Sequence, residues 1–420
     1  ASAGLYTCRL DRYQIDVRLT ATARTGIHEY CFPANSSEKW IVIDLKHRDR
    51  LLSGGFSEIR KDQIRGHRFS SSWAREQKLW FDIRCSAPVQ KYLLSKDSSQ
   101  LICFFDKKLR KLNVQCAISA VDPQGAAKNL KAEWIDFEFD RARKSCTTTW
   151  DSILSRVKIK DIKWTKDRYQ IFYTALYHLC IQPNLYQDVD GRYRGMDGKI
   201  HQGDPSHPRY TVFSLWDTYR AAHPFYQLVY PDYNQDFILS FLGQFDECGR
   251  LPVWELSANE TFCMIGNHSI PVMSYAFLDQ NEKYPLDRER MARAAEATLA
   301  LDFSCMDGFR TGFISSDGCS ESVSKTLENS LDWAGYYLLA GRKGYADQYF
   351  KNLYNPESGF FQAKLNHKFV EPFDPREVNF HYTEANAWQY LFGAHHDVPG
   401  MMECFRYGSA EDPRKILEKK

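Results

Sequence analysis

The chain holds 420 residues, with 55 Lys and Arg against 53 Asp and Glu, for a net charge of +2. That balance excludes the basic stripe of a nucleic-acid binder and the cationic face of an anionic-membrane binder, and no apolar run approaches the ~20 residues that span a bilayer. Hydrophobic residues at 43% and charged residues at 26% describe a globular chain with length for two or more domains.

Residues 1–120 alternate with period two. Ile15, Val17 and Leu19 share one face and Asp16, Arg18 and Thr20 the other; Leu79, Phe81 and Ile83 repeat the pattern, as do Val114, Cys116 and Ile118. Short polar turns such as Ser53-Gly54-Gly55 separate these runs, which predicts an antiparallel β-sandwich. The character changes after Pro123-Gln-Gly125. Trp150, Ile153, Leu154 and Val157 then form one helical stripe, so 137–158 reads as a connecting helix. Beyond 165 helical periodicity dominates, with helices expected at 167–182, 213–229, 233–246, 268–279, 287–301, 321–340, 343–353 and 384–394. A sandwich followed by helical hairpins predicts an α+β multidomain chain: 1–125 a partial β-sandwich, 126–164 a linker with a helix, and 165–420 a partial (α/α)6-type toroid.

The twelve cysteines stand singly with no C-x-x-C spacing, which excludes a visible zinc or dithiol motif and reads as mostly free, buried thiols. Aromatics are dense at 15%, with 24 Tyr and 10 Trp. Large cores explain such density unless the rings cluster with acids, and three segments show that clustering. They are Phe213-Ser-Leu-Trp216-Asp217-Thr218, Leu251-Pro-Val-Trp254-Glu255-Leu256 running on to Asn259-Glu260-Thr261, and Tyr382-Thr-Glu384-Ala-Asn-Ala-Trp388. A flat ring stacks on the C–H face of a pyranose, and a carboxylate grips its hydroxyls or protonates its glycosidic oxygen. Each acid has a plain structural alternative. Asp217 and Glu384 suit the first turn of a helix, the latter behind a Thr383 cap, and Trp216 suits a core. A general acid must be neutral near pH 7, so Glu384 needs apolar cover, for which Tyr382, Trp388 and Phe392–Ala394 are at hand. Spacing does not choose a second carboxylate among Asp217, Glu255, Glu260 and Asp397. Asp188-Val-Asp190-Gly-Arg192 running to Asp197 has some look of a calcium loop but lacks the distal Glu; an ordered turn with Asp–Arg pairs reads equally well. Asn259-Glu-Thr and Asn267-His268-Ser match the three-residue glycosylation pattern, a weak signal, and His268 by itself reads as a hydrogen-bonded structural residue rather than a ligand.

In chain order these residues resemble glycoside hydrolase family 92, the calcium-dependent exo-acting α-mannosidases. Val17 through Tyr30 is similar to the family's sandwich domain. More specific are Ile171-Phe-Tyr-Thr-Ala-Leu-Tyr-His178, Asp188 through Asp197, Phe213 through Thr218, Leu251 through Leu256, Asn259 through Gly266, Ser322-Val-Ser-Lys-Thr-Leu-Glu328 and His396-Asp-Val-Pro-Gly400. The resemblance implies a β-sandwich joined to an (α/α)6 barrel and release of terminal α-mannose with inversion, assisted by calcium. Tyr382-Thr-Glu384-Ala-Asn-Ala-Trp matches the family's Y-T-E-G-N-A-W, whose Glu is the general acid, with Ala385 in place of Gly. The family's F-S-L-W-D-T aspartate points to Asp217 with Trp216 as substrate ligands, and Trp254, Glu255, Asn259 and Glu260 join them as substrate-binding candidates. The family's G-H-G-N-E-P-S-H-H-like and base-bearing G-N-D-D-x-G-Q-M-S-A-W-like segments do not occur here. The resemblance therefore implies an interior fragment that keeps the acid and lacks the base, with calcium ligands outside it and unassigned. It further implies a mannose-containing oligosaccharide or glycoprotein glycan as partner, an extracytoplasmic location, and little turnover by this piece alone. An inert sugar-binding or scaffold protein, or a toroid glycosidase of another specificity, is the alternative.

Overall fold

Alternating residues in the first 120 positions do form strands. The computed structural model describes residues 2–34, 38–160, 163–279 and 283–407. Within it the chain divides into two units: one takes in the chain up to Phe213 together with Glu255–Thr261, and the other takes in Ser214–Trp254 and the chain from Phe262 onward.

The first unit is built on β1 (Tyr6–Leu10), β2 (Ile15–Ala21), β3 (Thr25–Cys31), β4 (Lys39–Asp44), β5 (Arg50–Ile59), β6 (Gln63–Ser71), β7 (Gln77–Cys85), β8 (Lys91–Leu94), β9 (Gln100–Phe105) and β10 (Lys111–Ser119). They pair antiparallel as a seven-stranded sheet, β1-β2-β3-β10-β7-β6-β5, and a three-stranded sheet, β4-β9-β8. Ile64, Phe81, Ile83 and Leu112 from the larger sheet meet Leu101, Cys103 and Phe105 from the smaller in one core, the sandwich that the period-two pattern predicts.

The larger sheet is also covered on its other face, which the pattern did not show. Helix α2 (Phe139–Leu154) sets Phe139 and Ala142 against Ile27, and Arg18 reaches over the Phe139 ring while pairing with Glu29 at 2.7 Å. Thr20, placed on the polar face by its period, is buried there and donates to the Gly4 carbonyl at 2.7 Å. Pro123, read as a break, opens helix α1 (Pro123–Ala132) instead. Asp122 caps it by accepting the Gly125 amide at 2.6 Å, and a proline at the first helical position has no amide to lose. Helix α3 (Lys166–Leu179) follows, capped by Thr165.

The second unit is helical: α4 (Leu215–Thr218), α5 (Ala222–Val229), α6 (Pro231–Cys248), α7 (Ser269–Leu278), α8 (Arg288–Leu301), α9 (Phe303–Thr311), α10 (Ser322–Ala340), a 3-10 turn at Ala346–Leu353, α11 (Ala387–Tyr390) and α12 (Val398–Tyr407). The helix expected over 343–353 is only the 3-10 run at Ala346–Leu353, and two other expected helices are shorter. The helix over 213–229 breaks between α4 and α5, because Pro224 lacks an amide and fits only in a first turn. The helix over 384–394 shrinks to α11, since Glu384 takes a left-handed φ of 49° and Asn386, not Thr383, forms the capping box with Gln389. Helix α10 is buried on nearly every side. Its Val323 and Leu327 pack with Phe350, Phe361, Tyr382, Tyr390 and Leu391. Among the described residues no helix is long and apolar enough to cross a membrane, and the described cysteines are free thiols.

Candidate active site

Helix α10 organises the polar interior of the second unit. Ser324, Glu328 and Asp332 recur every four residues and so share one face. Ser324 Oγ accepts the Thr383 amide at 2.8 Å, which ties down the residue before Glu384. Glu328 Oε1 accepts the indole N–H of Trp216 at 3.2 Å and the hydroxyl of Tyr390 at 2.9 Å. Glu328 Oε2 lies 2.9 Å from His268 Nε2, and His268 Nδ1 lies 3.0 Å from Asp332 Oδ1. The other Asp332 oxygen accepts the Asn267 amide at 2.7 Å.

Both ring nitrogens of His268 thus face carboxyl groups, an arrangement that a doubly protonated ring between two carboxylates satisfies; burial pushes the Asp332 carboxyl up, against the pull of His268. Complete burial would lower the His268 pKa, but Asp332 and Glu328 outweigh that effect and lift it to about 9. His268 is a cation held inside the fold at pH 7. The Tyr219 ring stacks on it with centroids 4.0 Å apart. Gly266 makes room for this imidazole: it has φ +80°, and a Cβ there would come within 2.4 Å of His268 Nε2.

Trp216 is half-buried and Asp217 exposed, beside each other on α4; the Asp217 carboxylate accepts the Ser214 hydroxyl. Glu384 is exposed, and among the described residues its carboxylate has no hydrogen-bond or ion-pair partner. Its backbone is fixed on both sides. Tyr382, 4% exposed, donates to the Phe361 carbonyl at 2.7 Å, and the Asn386–Gln389 box closes the other side. The left-handed residue is Glu384 itself, so Ala385 in place of glycine meets no φ penalty. Trp388 and Phe392 are 39% and 44% exposed, so the apolar cover expected from them is open to solvent. Asp397 accepts the Gly400 amide at 3.0 Å, opening α12, and the Gln348 side chain at 2.8 Å.

The remaining candidates are placed differently. Trp254 is half-buried. Glu255 is 1% exposed in the first unit. Its oxygens accept the Thr211 hydroxyl at 2.7 Å, the Val212 amide at 3.1 Å and the Ala258 amide at 2.6 Å. Those donors sit in tight turns, with φ of 69° at Val212, 50° at Ser257 and 60° at Ala258. Burial pushes the Glu255 carboxyl up to about 7, against the pull of Thr211, the Ala258 amide and Arg209. Asn259 trades hydrogen bonds with the Glu76 backbone at 3.2 and 3.1 Å, and Glu260 pairs across the hairpin from Glu255. As a glycosylation acceptor Asn267 is closed off: it is fully buried and bonds Asp302 at 2.9 Å.

The acid-rich loop is an ordered turn. Asp188 accepts from Ser119 at 2.6 Å and Asn129 at 2.7 Å, Asp190 from Lys128 at 2.8 Å and Arg192 at 2.9 Å, and Asp197 sits 2.9 Å from His201. A calcium ion needs ~6–8 free oxygens. Among the described residues there is no group of three or more His, Cys, Asp or Glu that could hold a metal, so these residues do not fit the ion.

Comparison with known proteins now gives the class. The glycosyl hydrolase family 92 N-terminal domain matches residues 1–138, and the family's catalytic domain matches residues 125–418. The chain belongs to glycosyl hydrolase family 92, with its N-terminal β domain followed by the helical one. Among solved structures it is similar to a family 92 alpha-mannosidase from Bacteroides thetaiotaomicron, with TM-score 0.86 and 28% identity over 97% of this chain and 60% of that one. The same alpha-mannosidase in complex with mannoimidazole matches at TM-score 0.86 and 27% identity, covering 97% and 59%. An inverting mannosidase of the family from the same species shares the fold at TM-score 0.86 and 24% identity, covering 96% and 58%. The chain thus spans about three fifths of the length of the structures it matches. No curated protein matches it.

His268, Asp332 and Tyr390 carry the interior network; His268 is the hydrogen-bonded structural residue that the sequence reading expects, and that reading gave Asp332 and Tyr390 no role. The available signal was Ser324, Glu328 and Asp332 at a four-residue period directly beside the apolar Val323, Leu327 and Leu331, where polar residues need partners.

Proposed function

We propose that this chain carries the acid and sugar-gripping part of an exo-α-mannosidase site. Glu384 protonates the departing glycosidic oxygen of a terminal α-mannoside, and Asp217 with Trp216 holds the sugar. The observation that supports this is the way α10 fixes both the Trp216 segment and the Thr383–Tyr390 segment, while Glu384 itself stays unpaired and exposed. A proton donor needs a fixed backbone and a carboxyl not spent on a structural partner.

Inversion needs a second carboxylate roughly 6.5–9.5 Å from the first to activate water. Glu328 and Asp332 are committed to His268, Glu255 and Asp397 accept backbone amides, and Asp217 is assigned to the sugar. None of these five carboxylates is assigned as the water activator, and Glu260 is kept as a substrate-binding candidate. The substrate class is a mannose-rich oligosaccharide or glycoprotein glycan, which implies an extracytoplasmic setting, tested by cell fractionation.

The test compares Glu384→Gln with the parent sequence, in this chain and in one extended to the length of the matched structures. In the extended chain, mannose release from mannobiose falls ~10²–10⁴-fold, and release from an activated aryl mannoside falls far less. Equal losses on both substrates, or none, remove Glu384 from the acid role. Mannose binding without any turnover in the extended chain favours the inert sugar-binding reading.

A further inference from the structure

The second unit buries a cation and two carboxylates where apolar side chains would pack at lower cost. Their connectivity suggests what they are for. Glu328 and Asp332 are 2% and 0% exposed and His268 is 1% exposed, so none of the three can touch a substrate. Two aromatic donors from distant segments converge on one atom, Glu328 Oε1: the Trp216 indole at 3.2 Å and the Tyr390 hydroxyl at 2.9 Å. The other oxygen is pinned by His268 at 2.9 Å, and His268 is pinned in turn by Asp332 at 3.0 Å. Trp216 adjoins Asp217 in sequence, and Tyr390 closes the segment that begins with the anchored Thr383 and Glu384.

We infer that His268 is a positioning residue: paired with Glu328 and Asp332, it orients Glu328 so that a single oxygen sets both Trp216 and Tyr390. The catalytic consequence rests on the reading above; the positioning itself does not. A neutral His268 has one N–H and would turn a lone pair toward one of the two carboxylates, which repels it. Glu328 would then rotate and release the indole. The groups facing His268 are Glu328 and Asp332 from α10, Tyr219 stacked on its ring, and, beyond Tyr219, Arg220 and His395. The ring's raised pKa agrees with this arrangement.

The test is fluorine NMR of the whole chain labelled with 5-fluorotryptophan, the Trp216 signal being identified by its loss in Trp216→Phe. The Trp216 signal shifts in Glu328→Gln and in His268→Gln, and its pH titration in the parent chain is absent from His268→Gln. A Trp216 signal unmoved in variants that keep the parent's circular dichroism overturns the proposal. Asp332→Asn serves if His268→Gln does not fold: it removes one of the charges holding the imidazolium, so the titration midpoint falls. An unchanged midpoint there also overturns the proposal. Binding of methyl α-mannoside, read by calorimetry, weakens about tenfold in Glu328→Gln, the loss of one charge-assisted hydrogen bond. If the parent chain binds no mannoside, the functional reading fails, and the fluorine signal alone decides the positioning.

Discussion

Glu255 in the β unit and Glu328 in the helical unit are both buried carboxylates, 1% and 2% exposed, yet they are held by opposite means. Glu255 has neutral donors: one hydroxyl and two backbone amides in turns with positive φ. Glu328 has an imidazolium as well as an indole and a phenol. Neutral donors leave burial dominant at Glu255, whose carboxyl rises to about 7. In the helical unit the cation is favoured instead, and His268 rises to about 9. A buried acid beside an aromatic can thus be a clamp on strained backbone or a counter-ion that orients side chains.

The sharpest way to break this comparison is to remove one partner of the imidazolium. Asp332→Ala should destabilise the helical unit by roughly 3–5 kcal/mol, the cost of half-pairing a buried charge, read by urea unfolding. A loss under about 1 kcal/mol would mean that His268 is neutral and the contrast false.

Next in size is pH. His268 has a folded pKa of about 9, above the ordinary ~6.5. Its contribution is present in full below pH ~6.5 and is lost as pH rises to ~9, on the order of 3 kcal/mol. Glu255 is also raised, from 4.5 to about 7, so its effect likewise declines with rising pH, between pH ~4.5 and ~7, by a similar order. Hydrogen exchange resolved by unit should show the lower window in the β unit and the upper window in the helical unit. Glu255→Gln should abolish the first and His268→Gln the second; one common window for both units would refute the assignment.

Smaller still is the strain that Glu255 offsets. Ala258 has φ 60°, so Ala258→Gly should stabilise the chain by up to ~1 kcal/mol, visible as a raised melting temperature. The smallest effect is calcium. The loop acids are committed to Ser119, Asn129, Lys128, Arg192 and His201. Adding calcium or a chelator should therefore leave the melting temperature of this chain within about a degree, since a site binding only the folded state would raise it.

Much of the fold was legible because it rests on periodicity. The strands around Val17, Phe81 and Val114 and the long helices α6, α8 and α10 follow directly from spacing. Misreadings fell where a single residue decides. Asp122-Pro123 reads as a break or as a cap followed by a first turn, and only packing against the sheet chooses. At Glu384 the positive φ moves the helix start to Ala387, and no local pattern announces that for a glutamate. The site was legible as segments and not as contacts: Trp216 and Glu328 are 112 residues apart, and nothing in either stretch names the other.

That separation has a bearing on synthesis. Glu328 leaves the ribosome 112 residues after Trp216 and 60 after His268, and Tyr390 follows 62 residues later. At roughly 5–20 residues per second, Trp216 waits about 6–20 s for its acceptor. The indole is untethered throughout that interval and the imidazole unmatched for its last 60 residues, and because Tyr390 follows Glu328 the interior closes only after α10 and then α11 have emerged.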